Sequence, residues 1–105
     1  MFSCVIPKQD LTVSPLEFIL GVFTEIFDVT EVILHNTATF TGNVQFSLVN
    51  EVDGHEIIVV YKDLTGIKDF IWCNEPISIP AGYRFKVSVT GDIGEIEGTI
   101  IFIKR

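Results

Sequence analysis

The sequence predicts an all-β fold, an antiparallel β-sandwich of jelly-roll or immunoglobulin-like form with seven to eight strands and at most one short helical turn near residues 14–20. Three observations carry this. The 105 residues include 12 Val, 15 Ile and 9 Thr, whose branched side chains suit a pleated surface, against only 11 of the helix-favouring Ala, Leu, Met and Gln. Apolar and polar residues alternate with period two in the clearest segments, whereas no segment shows a sustained helical period. Gly and Pro recur between short apolar runs, as turns between strands would require, and no repeat or linker divides the chain. With 48% apolar residues, a chain of this length buries about two-thirds of its unfolded surface and holds a single hydrophobic core.

Residues 1–21 are strongly apolar (Phe2, Cys4, Val5, Ile6, Leu11, Val13, Leu16, Phe18, Ile19, Leu20) and are expected to form an interface segment in front of a sandwich domain at 22–105. Removal of residues 1–13 would then reduce assembly and leave the sandwich folded. Within this segment Ser14 is placed to cap, Pro15 to occupy the first helical position and Glu17 the third, which allows one helical turn. Phe23 to Phe27 and Val29 to Asn36 read as two strands with a break near Asp28. Asn43 to Asn50 sets Val44, Phe46 and Leu48 on one face against Gln45 and Ser47, and the following Asp53-Gly54 is a strong hairpin signal. Glu56 to Lys62 is the next strand. Its run Ile57 to Tyr61 is apolar on both faces, so it is covered on both sides, inside the fold or by a partner chain.

Phe70 to Asn74 and Pro76 to Ile79 make two short strands around Pro76, which cannot donate to a ladder and marks an edge or a bulge. Alternation puts Phe70 and Trp72 on one face and Ile71 and Cys73 on the other, so Phe70 to Cys73 reads as a central core strand. Pro80-Ala81-Gly82 forms a turn. Tyr83 to Thr90 is the cleanest strand, with Tyr83, Phe85, Val87 and Val89 alternating with Arg84, Lys86, Ser88 and Thr90. The last strand follows the Gly91 to Gly94 turn and runs from Glu95 to Lys104, with a bulge expected at Gly98.

Fourteen acidic against seven scattered basic side chains, a net charge of −7, argue against nucleic-acid binding. Nor does any run approach the roughly 18 apolar residues of a membrane span, and with no basic region before an apolar run at the N-terminus no signal peptide is expected. Cys4 and Cys73 stand far apart without metal-ligand spacing and read as small buried hydrophobes. Only His35 and His55 could act as a base for a nucleophile, and no nucleophile elbow, zinc helix or phosphate loop is present, so no catalytic residue, metal or cofactor is expected. The acidic loops Glu51, Asp53, Glu56 and Asp92, Glu95, Glu97 lack the calcium-loop pattern and read as solvated hairpin tips. Candidate contact residues are Phe2, Val5, Ile6, Phe18, Phe40, Tyr61 and Trp72. Phe40 is included because it interrupts a polar turn.

Three passages have a further significance: Thr24 to Asn36 followed by the small polar turn Thr37 to Gly42; the alternating strand Asn43 to Asn50; and Ile77-Ser-Ile-Pro-Ala-Gly-Tyr-Arg-Phe-Lys-Val-Ser-Val-Thr90 with the closing Thr99 to Ile103. In this order they resemble a group of small β-sandwich proteins encoded among the structural genes of tailed bacteriophages. The resemblance implies a non-enzymatic virion structural protein, a capsid decoration or cement protein or a small neck, tail or fibre component, made in the host bacterial cytoplasm and found in the virion. It also implies partners: further copies in a cyclic oligomer, a trimer above all, and the major capsid protein or other virion proteins, with no nucleic acid and no membrane. Pro-Ala-Gly before an alternating strand occurs in carbohydrate-binding modules too, and a carbohydrate-binding or adhesion module is the alternative; it would need Trp72 exposed beside Tyr61 or Tyr83.

Overall fold

A computed structural model describes residues 1–21, 23–90 and 92–105. Among these residues the chain forms nine strands and no helix: β1 (Phe2–Asp10), β2 (Leu16–Leu20), β3 (Phe27–Asn36), β4 (Asn43–Asn50), β5 (Glu56–Asp63), β6 (Asp69–Trp72), β7 (Ile77–Ile79), β8 (Tyr83–Val89) and β9 (Glu95–Lys104). They lie in two antiparallel sheets. One has the order β1-β9-β3-β6, with β7 also paired to β3; the other has the order β2-β8-β4-β5.

β6 and β7 pair with successive parts of β3, Val32 to His35 and Phe27 to Val29, and so share one edge that is broken around Pro76. Counted as one strand, they leave eight, and the pairing is then first with last, second with seventh, third with sixth and fourth with fifth. This is a long antiparallel hairpin rolled up so that β9 meets β3 and β8 meets β4, the jelly-roll form of the double sheet. The expected seven or eight strands become nine because the N-terminal segment supplies two, β1 and β2, while the separate strand expected at Phe23 to Phe27 does not form. The helical turn allowed near residues 14–20 is absent. Leu16 to Leu20 pairs with Val89 to Phe85, and those ladder bonds, with Leu16 turned into the core, outweigh the local capping signal.

The core is the interdigitation of the two inner faces. Val32, Leu34, Ile96 and Ile100 of the first sheet meet Val44, Phe46, Phe85 and Val87 of the second. Alternation places them as expected in β4 and β8, where the odd-numbered residues of β8 are the inward ones. The Asp53-Gly54 turn also forms as expected: Gly54 has φ +73°, a conformation L side chains rarely adopt, and the Asn50 N–H donates to the His55 carbonyl at 2.9 Å.

Several elements differ from expectation. Residues 23–26 are not a strand, and β3 runs without a break through Asp28; its irregularity lies at Thr30, an extra residue between Val29 and Glu31 in the pairing with β9. The bulge expected at Gly98 sits instead in the neighbouring β1, where Pro7 and Lys8 together face Glu97. The boundary at residue 21 does not appear. β1 pairs with β9 and β2 with β8, and Ile6, Leu11 and Leu16 are core residues, so the apolar N-terminal segment supplies one edge of each sheet. Removing residues 1–13 therefore takes away a strand and two core side chains. Of the expected 91–94 turn, Gly91 lies outside the described residues.

Asp92 ties this end of the sandwich together. Its carboxylate accepts the Thr41 and Gly42 N–H groups at 2.7 and 3.0 Å, the Thr41 hydroxyl at 3.0 Å and the Ile93 N–H at 2.9 Å. Burial raises its proton affinity, but these donors outweigh burial and hold the carboxyl below the usual range. A lowered carboxyl stabilises the fold above the unfolded-state pKa, and that contribution is lost as pH falls through the folded value. Asp92→Asn is expected to cost about 1–2 kcal/mol at neutral pH, the scale of charged hydrogen bonds. In urea titrations the difference from wild type should shrink as pH falls through the carboxylate range; a pH-independent difference would show that charge is not the cause.

Candidate interaction surface

The strand order puts β5 at the edge of one sheet and β6 at the edge of the other. Both edges lie on the same side of the sandwich, where Val59 to Lys62 and Trp72, Asn74 and Glu75 line an open crevice of about 430 Å³. The run Ile57 to Tyr61 is expected to be covered on both faces, inside the fold or by a partner chain, and the fold itself does not cover it. β5 pairs only with β4 among the described residues, and Ile57, Ile58, Val59 and Tyr61 are all exposed, Tyr61 to 59%. Val60 is the one member turned inward against the core. On β6 Ile71 is 61% exposed on the face opposite Phe70 and Trp72, and Cys73 is also exposed, so Phe70 to Cys73 is an edge strand and not the central one its two apolar faces suggested.

An unpaired edge offers a row of free N–H and C=O groups, and natural sheets commonly blunt it with proline, charge, short strands or bulges. The opposite side of this molecule is blunted in that way. β1 carries Pro7 and Lys8 in its bulge, Lys8 reaches Glu95 at 3.9 Å, and β2 is only five residues long. β5 has weaker protection. It carries an extra residue at Val59, between the partners of Phe46 and Ser47, and charges only at its ends, Glu56 at one and Lys62 and Asp63 at the other. Five consecutive β-branched or aromatic residues without charge on an open edge form a surface that favours strand pairing or apolar contact.

The residues expected at contacts are distributed unevenly. Tyr61 belongs to this edge. Phe2 and Val5 are exposed on β1, on the other side; Phe2 stacks on Phe102 with ring centroids 5.5 Å apart, so half of it is spent on an aromatic cluster with Phe27. Phe18 is half-buried against the core. Ile6, Phe40 and Trp72 are buried within the chain and drop out as contact residues. Ile6 is the inward residue of β1 opposite Gly98. Phe40 is pinned inward because its loop pairs with another: its N–H donates to the Ile67 carbonyl and its carbonyl accepts from the Gly66 N–H, at 2.8 and 2.9 Å. Trp72 points between the sheets, edge-on to Phe46 at 5.8 Å. No sequence signal separates Phe40, in a polar turn yet buried, from an exposed loop aromatic, because the loop-to-loop pairing is a tertiary contact.

Polar chemistry concentrates beside the edge, on the outer face of the second sheet. Lys86 on β8 donates to Glu56 at 3.0 Å and lies 3.6 Å from Glu17, and Glu56 also accepts from the Ser47 hydroxyl at 3.1 Å. The hydrogen bond with Lys86 lowers the Glu56 carboxyl and raises the Lys86 ammonium against the opposing effect of burial. Elsewhere His35 meets Asp69 at 2.6 Å across the β3–β6 ladder on an exposed face. Cys4 and Cys73 are both free, and Cys73 is exposed, against the expectation of a buried thiol. Among the described residues no three His, Cys, Asp or Glu side chains gather as metal ligands, and no helix is long and apolar enough to cross a membrane. In comparisons with known proteins, no family model matches the chain and no curated protein matches it significantly.

Proposed function

We propose that this chain is a non-catalytic assembly subunit, a virion structural protein of the tailed-phage type serving as a capsid decoration or cement protein or as a small neck, tail or fibre part. The observation that carries the reading is the charge-free run Ile57 to Tyr61 exposed on an open sheet edge, with Ile71 exposed on β6, the edge strand of the other sheet. Covering that edge removes apolar surface from water at about 25 cal/mol per Å², and a standard interface buries about 800 Å² on each partner. Further copies of the chain in a cyclic oligomer, with a trimer as the expected form, are the partner, and the assembled ring seats on other virion proteins. The double-sheet jelly roll is also an architecture of viral capsid domains, a support by analogy of fold alone. The alternative of a sugar-binding module built on Trp72 loses its platform, since Trp72 is buried.

Two measurements test the reading. The protein should sediment with intact particles of the phage that encodes it; many copies per particle mean a capsid position and few mean a neck or tail part, and absence from particles overturns the virion assignment. Ile71→Lys and Ile58→Lys place a charge on exposed side chains, so each should change Tm by no more than about 4 °C while weakening self-association about tenfold or more in sedimentation velocity. Unchanged association in both variants overturns the edge as the contact.

A further inference from the structure

The outer face of the β2-β8-β4-β5 sheet holds a groove of about 410 Å³, within the range of small-ligand sites. The ladder registers explain its lining. Glu17 pairs with Ser88, Ser88 with Gln45 and Gln45 with Tyr61, so a carboxylate, a hydroxyl, an amide and a phenol stand in one row across all four strands. At ordinary strand spacing that row spans about 14 Å. Lys86, beside Ser47 in the next row, is held from both sides by Glu17 and Glu56, and its side chain is only 16% exposed. Lys86 and Glu56 are therefore fixed before any ligand arrives, which lowers the ordering cost of binding. Ser88 lines the groove with a buried Oγ that has no hydrogen-bond partner among the described residues, a deficit a native fold usually avoids. At one rim the exposed Tyr61 ring offers an apolar face and a polar tip.

The chemistry of the ligand follows from this set. An anion meets two carboxylates against one ammonium and a protein of net charge −7. A purely apolar ligand would leave fixed donors and acceptors unpaired at a cost of about 1–3 kcal/mol each. Hydroxyl groups donate and accept at once, and so match ammonium, amide and carboxylate together, while the C–H face of a sugar ring packs on an aromatic ring. We propose that this groove binds a neutral oligosaccharide, with one ring against Tyr61 and hydroxyls hydrogen-bonded by Lys86, Glu56, Glu17 and Gln45. This goes beyond the assembly role; Tyr61 belongs to both the edge and the groove, so the two readings are told apart at Ile71 and Gln45, which each serve only one of them.

The test is an array of neutral oligosaccharides built from glucose, galactose, mannose and N-acetylglucosamine, followed by titration of the retained glycans into ¹⁵N-labelled protein. At least one glycan should be retained and should shift amide signals of β4 and β8. Tyr61→Ala and Gln45→Ala should each weaken it tenfold or more, with circular dichroism confirming that the sheets persist. Ile71→Lys, on the other sheet, should leave glycan binding unchanged while reducing association, and Gln45→Ala should do the reverse, so the two proposals fail separately. An array that retains no neutral glycan, or retention that survives both groove variants, overturns the assignment.

Discussion

Truncating Phe46 to alanine is expected to lower the unfolding free energy by about 3–5 kcal/mol, the upper range for core truncations. Phe46 is fully buried near the middle of β4 and joins the two sheets. Its ring lies 5.7 Å from Phe85 on its own sheet, and 5.8 and 6.3 Å from Trp72 and Phe70 on the facing one. Each such aromatic pair contributes about 0.5–1.5 kcal/mol beyond its buried area. Removing one ring therefore disrupts three pairs and leaves a void between sheets that cannot close without bending both. Because small domains have a total stability of about 5–15 kcal/mol, the variant should sit near the edge of folding. Urea denaturation followed by Trp72 fluorescence measures this directly; a loss below about 1 kcal/mol would mean that the sheets do not meet at Phe46. The same region forms the wall behind the exposed β5–β6 crevice, so this variant should also lose assembly through loss of structure, unlike Ile71→Lys.

Gly98→Ala is expected to cost about 2–3 kcal/mol, toward the upper part of the range for overpacked interiors. Gly98 sits in β9 between two neighbours, paired with Ile6 of β1 and Leu34 of β3. A Cβ there would run into the backbone carbonyl oxygen of Ile33 and would lie 2.8 Å from Leu34 Cδ2. A side chain end can rotate away; a carbonyl within a ladder cannot, so β3 and β9 must separate locally and strain their hydrogen bonds. Alanine ordinarily gains about 0.5–1 kcal/mol over glycine inside a regular element, which makes a loss here diagnostic of the close approach. Urea denaturation measures the loss, and hydrogen exchange of β3 and β9 amides should rise first. A variant as stable as wild type would show that the strands have room there.

How much could be read from the sequence varies with how local the deciding interaction is. β4 was legible in both limits and β8 to within one residue at its end, and both in their faces, because each has one buried and one wetter face and the period-two pattern records that asymmetry. The Asp53-Gly54 turn was legible because its backbone conformation selects its residues. Leu16 to Leu20 was not: five residues with a plausible cap fit a helical turn as well as a strand, and only pairing with β8 decides between them. Gly98 signalled a special position but not its kind, since a bulge and a close strand approach both ask for a missing Cβ, and here the bulge went to β1 while Gly98 made room for Ile33.

Among the candidate contact residues the same limit operates. Trp72 and Tyr61 both stand in runs apolar on two faces, yet Trp72 is buried and Tyr61 exposed. A two-faced apolar run states that both faces avoid water and leaves open whether the chain itself or another covers them. The groove was invisible for a related reason: Glu17, Gln45, Tyr61 and Ser88 are far apart in the chain and become one row only through three ladder registers.

By itself the sequence determined that this protein is all-β, sandwiched around one core, acidic, and richer in apolar strand than a water-facing edge needs. Those properties are sums over local preferences and over composition, and neighbours in the chain suffice to set them. Only the tertiary structure decided that the hairpin rolls into a jelly roll with residues 1–21 inside the sheets, and that Ile57 to Tyr61 falls on an open edge. Strand order is chosen by which apolar faces meet across the core. That choice joins residues as distant as Phe2 and Phe102, and no local pattern encodes it.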